Sequence, residues 1–127
     1  MATATQVINR ALKRLRVIGV GQSPTANETT DCLEALNDML FAWRADGIEL
    51  AHITLLSTDV LDVPDDHIEP IALNLAKRVG GLFGASLSAD DAALAQSGEN
   101  MIRAYHFSIA DLESENPLSR DNLSESS

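Results

Sequence analysis

The chain has 127 residues, of which 45% are hydrophobic but only 4% aromatic, with one cysteine and a formal net charge of −10. This length suits one compact domain with a modest tail, and a single cysteine excludes an internal disulfide or a multi-cysteine metal site. No apolar run approaches the roughly 20 residues that span a bilayer, and the N-terminus lacks the basic-then-apolar order of a signal peptide. We therefore expect a soluble protein, made in the cytoplasm, that makes no membrane contact.

Residues 5–18 are predicted to form an amphipathic helix, because their apolar and basic side chains separate at the helical period of about 100° per residue. The apolar face comprises Val7, Ile8, Ala11, Leu12, Leu15 and Ile18. The opposite face carries Arg10, Lys13 and Arg16, with Arg14 at its edge. Gly19 and Gly21 are expected to end the helix.

A second helix is predicted to start at Thr25, whose hydroxyl can form a capping box with Glu28, and to end at Gly47. Its buried face comprises Cys32, Leu33, Leu36, Met39, Leu40 and Trp43. The opposite face carries Asp31, Glu34 and Asp38. Phe41 falls among these acids, so it is either an ordinary exposed aromatic or a contact for a partner.

The helical period disappears in residues 48–63, hereafter the arm, which form an unusually long apolar connection for a helical domain. The apolar residues of the arm include Leu50, Ile53, Leu55, Leu56, Val60, Leu61 and Val63. We expect either a β-hairpin that turns at residues 57–59 or an extended segment. A lone hairpin is unstable unless something covers it. Insertion against a neighbouring subunit is therefore favoured, and packing over the domain's own core is the alternative.

Pro64, Asp65 and Asp66 open a third predicted helix, since a fixed φ and negative charge both suit a helix N-terminus. Its apolar face comprises Ile68, Ile71, Ala72, Leu75, Ala76, Val79 and Leu82.

A fourth helix begins at Ser88, with Asp91 as its capping-box partner. Its inner face comprises Leu94, Gly98, Met101, Ile102, Tyr105, Ile109 and Leu112, where Gly98 permits another helix to approach closely.

Together these elements predict an all-α fold: a four-helix bundle at residues 1–113, with the arm between helices 2 and 3, and a flexible C-terminal tail at residues 114–127. The tail is acidic and serine-rich and contains Pro117, so we expect it to be disordered when the chain is alone.

Residues 1–18 carry four basic and no acidic residues, whereas residues 59–69 carry five acids and no lysine or arginine. Such unlike surfaces can pair copies of the chain head to tail.

The sequence predicts no catalytic residue, no metal site and no cofactor. Residues 65–69 (DDHIE) resemble a metal site superficially, but adjacent residues at a helix start point in different directions, and the helix dipole accounts for the acids. The three histidines lie far apart, and the chain has neither a Ser-His-Asp order nor a Gly-x-Ser-x-Gly elbow. The glycine-rich turns lack the Lys-Ser/Thr pair of a phosphate-binding loop.

An ordered set of segments is more specific than any single motif. It consists of residues 5–15 (TQVINRALKRL), a glycine-rich turn, residues 31–43 (DCLEALNDMLFAW) and residues 46–48 (DGI), with a later match at residues 72–78 (ALNLAKR). This set resembles the head-to-tail adaptor, or tail accessory factor, family of head-completion proteins in tailed bacteriophages. That family shows an amphipathic helix, a glycine turn, and a helix of the form Ala-Leu-x-x-Leu-Asn-x-Met-Leu-x-x-Trp leading to a glycine; this chain has Cys32 in place of the first alanine. The likeness covers residues 3–107.

The resemblance implies a structural, non-enzymatic virion protein at the head–tail interface. It implies a homo-oligomeric ring of about twelve copies docked under the portal protein, with a tail or nozzle protein below and packaged DNA retained above. DNA would pass through the channel without sequence-specific binding, because a net acidic ring binds phosphate weakly. The predicted subunit interface comprises Arg10, Lys13, Arg14, Phe41, Leu50, Ile53, Leu55, Leu56, Asp62, Asp65 and Asp66. The predicted portal-binding residues are Pro117, Leu118, Arg120 and Leu123.

Two other functions remain open at the level of sequence. A small helical regulator that binds DNA through the basic first helix would show salt-sensitive DNA binding. A hydrolase acting on the cell wall would need paired carboxylates in one cleft, an arrangement that a sequence alone does not reveal.

Overall fold

The computed structural model describes residues 2–19, 21–48 and 54–114, and the side chains up to Phe107. Its four α-helices are α1 (Ala4–Arg14), α2 (Ala26–Ala45), α3 (Ile68–Val79) and α4 (Ala89–Ser114). Short 3₁₀ turns precede and follow α3, at Asp65–His67 and Gly80–Phe83. The described part of the chain is therefore helical, as the sequence predicts, and it contains no strand beyond one isolated bridge between Thr3 and Val60.

Helix α1 begins and ends earlier than the apolar pattern predicts. Thr3 caps its first turn and forms a capping box with Gln6. Its last residue is Arg14 rather than Ile18, because Arg16 adopts a left-handed conformation with φ of 62°, which a continuing right-handed helix excludes. Leu15 and Ile18 remain buried although they lie beyond the helix.

Helix α2 follows the prediction closely. Thr25 and Glu28 form the expected capping box, and the helix is followed by Gly47, whose φ of 99° is one that a side chain would strain. The buried residues of α2 are Cys32, Leu36, Met39, Leu40 and Trp43. These residues occupy one face of α2, which lies against α1 and α3.

Helix α3 lies at the centre and packs against all three other helices. Eight of its twelve residues are buried: Ile68, Ile71, Ala72, Leu73, Asn74, Leu75, Ala76 and Val79. The predicted apolar face is wrong at its C-terminal end. The α-helix stops at Val79, and in the 3₁₀ turn that follows Leu82 is 66% exposed.

Helix α4 lies against α3, where Gly98 makes the close approach that the sequence predicts. A Cβ at Gly98 would lie 2.6 Å from the Cβ of Pro70, which is closer than carbon atoms pack. The buried face is centred on Ala95, Gly98 and Ile102. Leu94 is 53% exposed, so the prediction that it faces inward is wrong, whereas Tyr105 is partly exposed but its ring contacts the buried His67. The side chains of Ile109 and Leu112 lie outside the described residues.

Backbone hydrogen bonds attach the described part of the arm to the chain's own N-terminus. The amides of Ala4 and Thr5 donate to the carbonyls of Asp59 and Ser57 at 2.9 and 3.0 Å, which satisfies two amides that the start of α1 leaves without a helical partner. The amide of Leu61 donates to the carbonyl of Ala2 at 2.9 Å. Residues 54–63 therefore form no hairpin, and the predicted β-hairpin is not supported.

Asn37 of α2 fastens the same segment from the other side. Its Nδ2 donates to the carbonyl of Leu55 at 3.1 Å, and its Oδ1 accepts from the amide of Leu55 at 2.8 Å. Both atoms of the side-chain amide thus mimic one rung of a β-ladder. The side chain of Leu55 is 4% exposed and packs in the core of its own chain.

We expect Gly98→Ala to lower the free energy of unfolding by about 1–3 kcal/mol, because the added methyl overpacks the α3–α4 contact. Gly81→Ala is the matched control, since nothing lies within 4 Å of a Cβ there and Gly81 is exposed. Urea denaturation measures both variants. Equal stability of the two would contradict the close approach.

We expect Asn37→Asp to lower the free energy of unfolding by about 1–3 kcal/mol, because a carboxylate opposes the Leu55 carbonyl and donates no hydrogen bond to it. Hydrogen exchange at the Leu55 amide should accelerate in parallel. Asn27→Asp, at an exposed position in the first turn of α2, is the control and should leave that amide protected. Unchanged exchange at Leu55 in Asn37→Asp would show that the clamp does not hold the segment.

Candidate functional site

A cleft of about 520 Å³ lies between α1 and the start of α3. It brings together four of the residues predicted for the subunit interface, Arg10, Lys13, Asp65 and Asp66. The remaining lining residues are Ala2, Gln6, Asn9, Ile68 and Glu69. The basic face of α1 and the acidic segment before α3, more than 50 residues apart in sequence, therefore form the two walls of one site.

Ion pairs connect these two walls within a single chain. Arg10 Nη1 donates to Glu69 Oε2 at 3.0 Å, and Arg14 Nη2 donates to Glu69 Oε1 at 2.6 Å. Arg14 Nη1 also reaches Asp91 Oδ1 at 3.2 Å, while the Asp91 amide donates to the Ser88 hydroxyl. Two of the three basic residues assigned to the subunit interface are thus already paired with acids of their own chain. The pairing joins α1, α3 and α4.

One polar atom of the cleft has no partner among the described residues. Asn9 Oδ1 is buried and accepts no hydrogen bond, and Asn9 lines the cleft. A buried amide oxygen without a donor is destabilising. A donor on an incoming group can satisfy it.

Phe41 lies on the outer surface of α2, as predicted, and the residue is 42% exposed. The guanidinium carbon of Arg44 sits 4.8 Å from the ring centroid, within the range of a cation–π contact. Asp31, Glu34 and Asp38 are exposed on the same side of α2. The structure therefore presents an aromatic ring at one end of an acidic helix face.

The other predicted interface residues are dispersed. Leu56 and Asp62 are exposed, whereas the side chain of Leu55 is used inside its own chain and is not presented to a neighbour. Leu50 and Ile53 lie outside the described residues. The predicted portal-binding residues, Pro117, Leu118, Arg120 and Leu123, also lie outside them.

Sequence reasoning missed two asparagines whose side chains make structural hydrogen bonds to the backbone. Besides Asn37, Asn74 is buried in α3, where its Nδ2 donates to the carbonyls of Pro70 and Ala95, both at 2.9 Å. The second bond ties α3 directly to α4. The available signal is an amide residue set between leucines in an otherwise apolar helical segment, which predicts a buried hydrogen-bonding role.

A buried histidine also escaped prediction. His67 is fully buried, and its Nδ1 lies 2.9 Å from Asp66 Oδ1. Its ring makes edge contacts with Tyr105 and His106 of α4, at centroid distances of 5.2 and 5.6 Å. These three rings anchor the start of α3 to the second half of α4.

The groups with shifted pKa values give no sign of reactivity. Burial, with added repulsion from Asp31 and Glu28, raises the pKa of Cys32 to about 11, so its thiol stays protonated and a poor nucleophile at neutral pH. A hydrogen bond to Glu99 raises the pKa of Arg103 further above its ordinary value, with a smaller contribution from Asp46. Among the described side chains, no three of His, Cys, Asp or Glu cluster in a way that would hold a metal ion.

No helix in the described part of the chain has both the length and the apolar character needed to cross a bilayer. No protein-family model matches this chain, and a search of curated proteins finds no significant relative.

We expect Glu69→Gln to lower the free energy of unfolding by at most about 1 kcal/mol at low ionic strength, because the ion pairs it removes are partly exposed. Salt should abolish the difference from wild type, since it screens such pairs. Glu34→Gln is the control: Glu34 is exposed between like charges, so its neutralisation should leave stability equal or slightly higher. A Glu69→Gln loss that persists unchanged at high salt would contradict an electrostatic role.

Proposed function

We propose that this chain is a structural subunit of a head-to-tail adaptor ring in a tailed bacteriophage, seated between the portal and a tail or nozzle protein. The observation that carries the proposal is the fold of the segments that resemble that family. They form an amphipathic helix, a turn containing Gly21 in a left-handed conformation, and a capped helix that leads to Gly47. These local structures support the proposal.

The surface chemistry supports an assembly role. A ring needs a heterologous interface, in which one face of the chain meets a different face of the next copy. Helix α1 exposes basic side chains, and α2 exposes acidic ones together with Phe41. In this proposal the acidic residues Asp62, Asp65 and Asp66 and the exposed Leu56 also border the next copy.

The ion pairs weigh against the DNA-binding alternative. Arg10 and Arg14 are both paired with Glu69, and Arg14 also with Asp91, which removes much of the positive potential that phosphate contacts require. The chain as a whole carries a net charge of −10. A channel subunit past which DNA slides fits this charge better than a DNA-binding regulator does.

The test mixes the purified full-length chain with portal particles and counts the bound copies by electron microscopy. We expect a closed ring of about twelve copies under each portal. Deletion of residues 116–127, or Leu118→Ser with Leu123→Ser, should weaken binding by at least about tenfold, because those apolar side chains are proposed to anchor the tail on the portal.

The matched control for the tail variants is Ser124→Ala with Ser126→Ala, which leaves both leucines in place and should bind as wild type does. A wild-type chain that never binds portal particles would refute the proposed function. Normal portal binding after the deletion would refute only the role of the tail.

A further inference from the structure

The outer face of α2 carries a narrow row of exposed side chains: Asp31, Glu34, Asp38 and Phe41, hereafter the acidic stripe. Their spacing of three, four and three residues places them within an arc of about 80° at the helical period. The buried residues of α2, such as Leu36 and Trp43, lie on the opposite side. The stripe therefore points away from the chain's own core.

The carboxylates of the stripe make no ion pair with a described residue of their own chain. The ion pairs within the described residues are made by other acids, including Glu69, Asp91 and Glu99. Like charges three and four residues apart on one helix repel and destabilise it. Their negative potential also contributes to the raised pKa of Cys32, through Asp31. The fold thus retains a repulsive row that nothing in the described part of the chain offsets.

The same chain also carries basic side chains that make no ion pair with a described residue. Within α1 and the turn after it, Arg10 and Arg14 are neutralised by Glu69 and Asp91. Lys13 and Arg16 are exposed, and neither makes an ion pair with a described residue. The two sets of side chains have opposite charge, and neither set forms an ion pair with the described residues of its own chain.

We propose that the acidic stripe of one copy docks on Lys13 and Arg16 of a second copy. This contact is heterologous, since α2 of one copy meets the end of α1 of the next, which is the type of interface that builds a ring. The inference rests on the proposed ring and specifies its interface. It also replaces part of the pairing expected from sequence, because Glu69, an acid of residues 59–69, is bound to α1 of its own chain.

A second copy is the occupant that the charges favour. Both halves of the contact lie on one polypeptide and are therefore always present in equal number, whereas a basic partner of another kind would leave Lys13 and Arg16 unused. Phe41 is the last residue of the stripe, and Arg44 lies against its ring. Its exposed ring is therefore available to contact the second copy beside the charged residues. Aromatic side chains are enriched at the centres of such interfaces.

The test is a charge swap measured by sedimentation velocity of the full chain at low and high salt. One variant is Asp31→Lys with Glu34→Lys and Asp38→Lys; the other is Lys13→Glu with Arg16→Glu. We expect wild type to self-associate and each variant alone to associate at least about tenfold more weakly. An equimolar mixture of the two variants should recover association, because each reversed surface then meets its complement.

The matched control is Lys77→Glu with Arg78→Glu, which reverses two exposed charges of α3 outside the proposed contact. This control should associate as wild type does. Melting followed by circular dichroism identifies any variant that fails to fold. For such a case the neutral variant Asp31→Asn with Glu34→Gln and Asp38→Asn should still lose both association and its salt dependence.

Self-association that survives both reversals would overturn the proposed contact, as would a wild type that stays monomeric at low salt. Rings that form on portal particles with the stripe variant would overturn this contact and leave the adaptor function standing. Failure of wild type to bind portal particles would refute the adaptor function itself, so the two failures are distinguishable.

Discussion

Burial of α3 among the other three helices is the constraint on which the rest of the structure depends. Eight of its twelve residues are buried, and α4 reaches it only because Gly98 leaves room for Pro70. The polar contacts of α3 with its neighbours follow from that position. Asn74 binds the Ala95 carbonyl in α4, and Glu69 faces the arginines of α1. The charged cleft exists because the packing of α3 holds Glu69, in its first turn, beside the basic face of α1.

The sequence predicted what local patterns determine. Helix α2 was predicted correctly because its capping box and its apolar spacing are both encoded within a few residues. The predictions failed where distant groups decide the outcome. The arm looked like a hairpin because its apolar content suits a strand, yet Asn37 holds Leu55 through contacts that no periodicity reveals. The spacing of apolar residues in α4 points Leu94 inward, but it does not reveal that Ala95, Gly98 and Ile102 form the buried face.

The sequence predicts which charged residues form the candidate site, but not which of them form ion pairs with each other. Composition identified a basic α1 and an acidic segment before α3, and the structure places Arg10 and Lys13 in one cleft with Asp65 and Asp66. Charge patterns do not say whether opposite surfaces meet within one chain or between two. In the structure Glu69 forms ion pairs with arginines of its own chain. The acids of α2 face outward instead. An interface based on the remaining charges therefore differs from the one that composition alone suggests.

The capping of α1 by the arm has a consequence for how the polypeptide acquires its structure during synthesis. Thr5 binds the carbonyl of a residue 52 positions downstream, so the opening turn of α1 is completed only after much of the chain has left the ribosome. Contacts of such long sequence separation form late, because closing the intervening loop costs entropy. The backbone contacts of the N-terminus are therefore completed only after residues 57–61 have been made, although the N-terminus itself is made first. We expect residues fused ahead of Ala2 to disturb this pairing, because the Ala2 carbonyl accepts a hydrogen bond from the Leu61 amide.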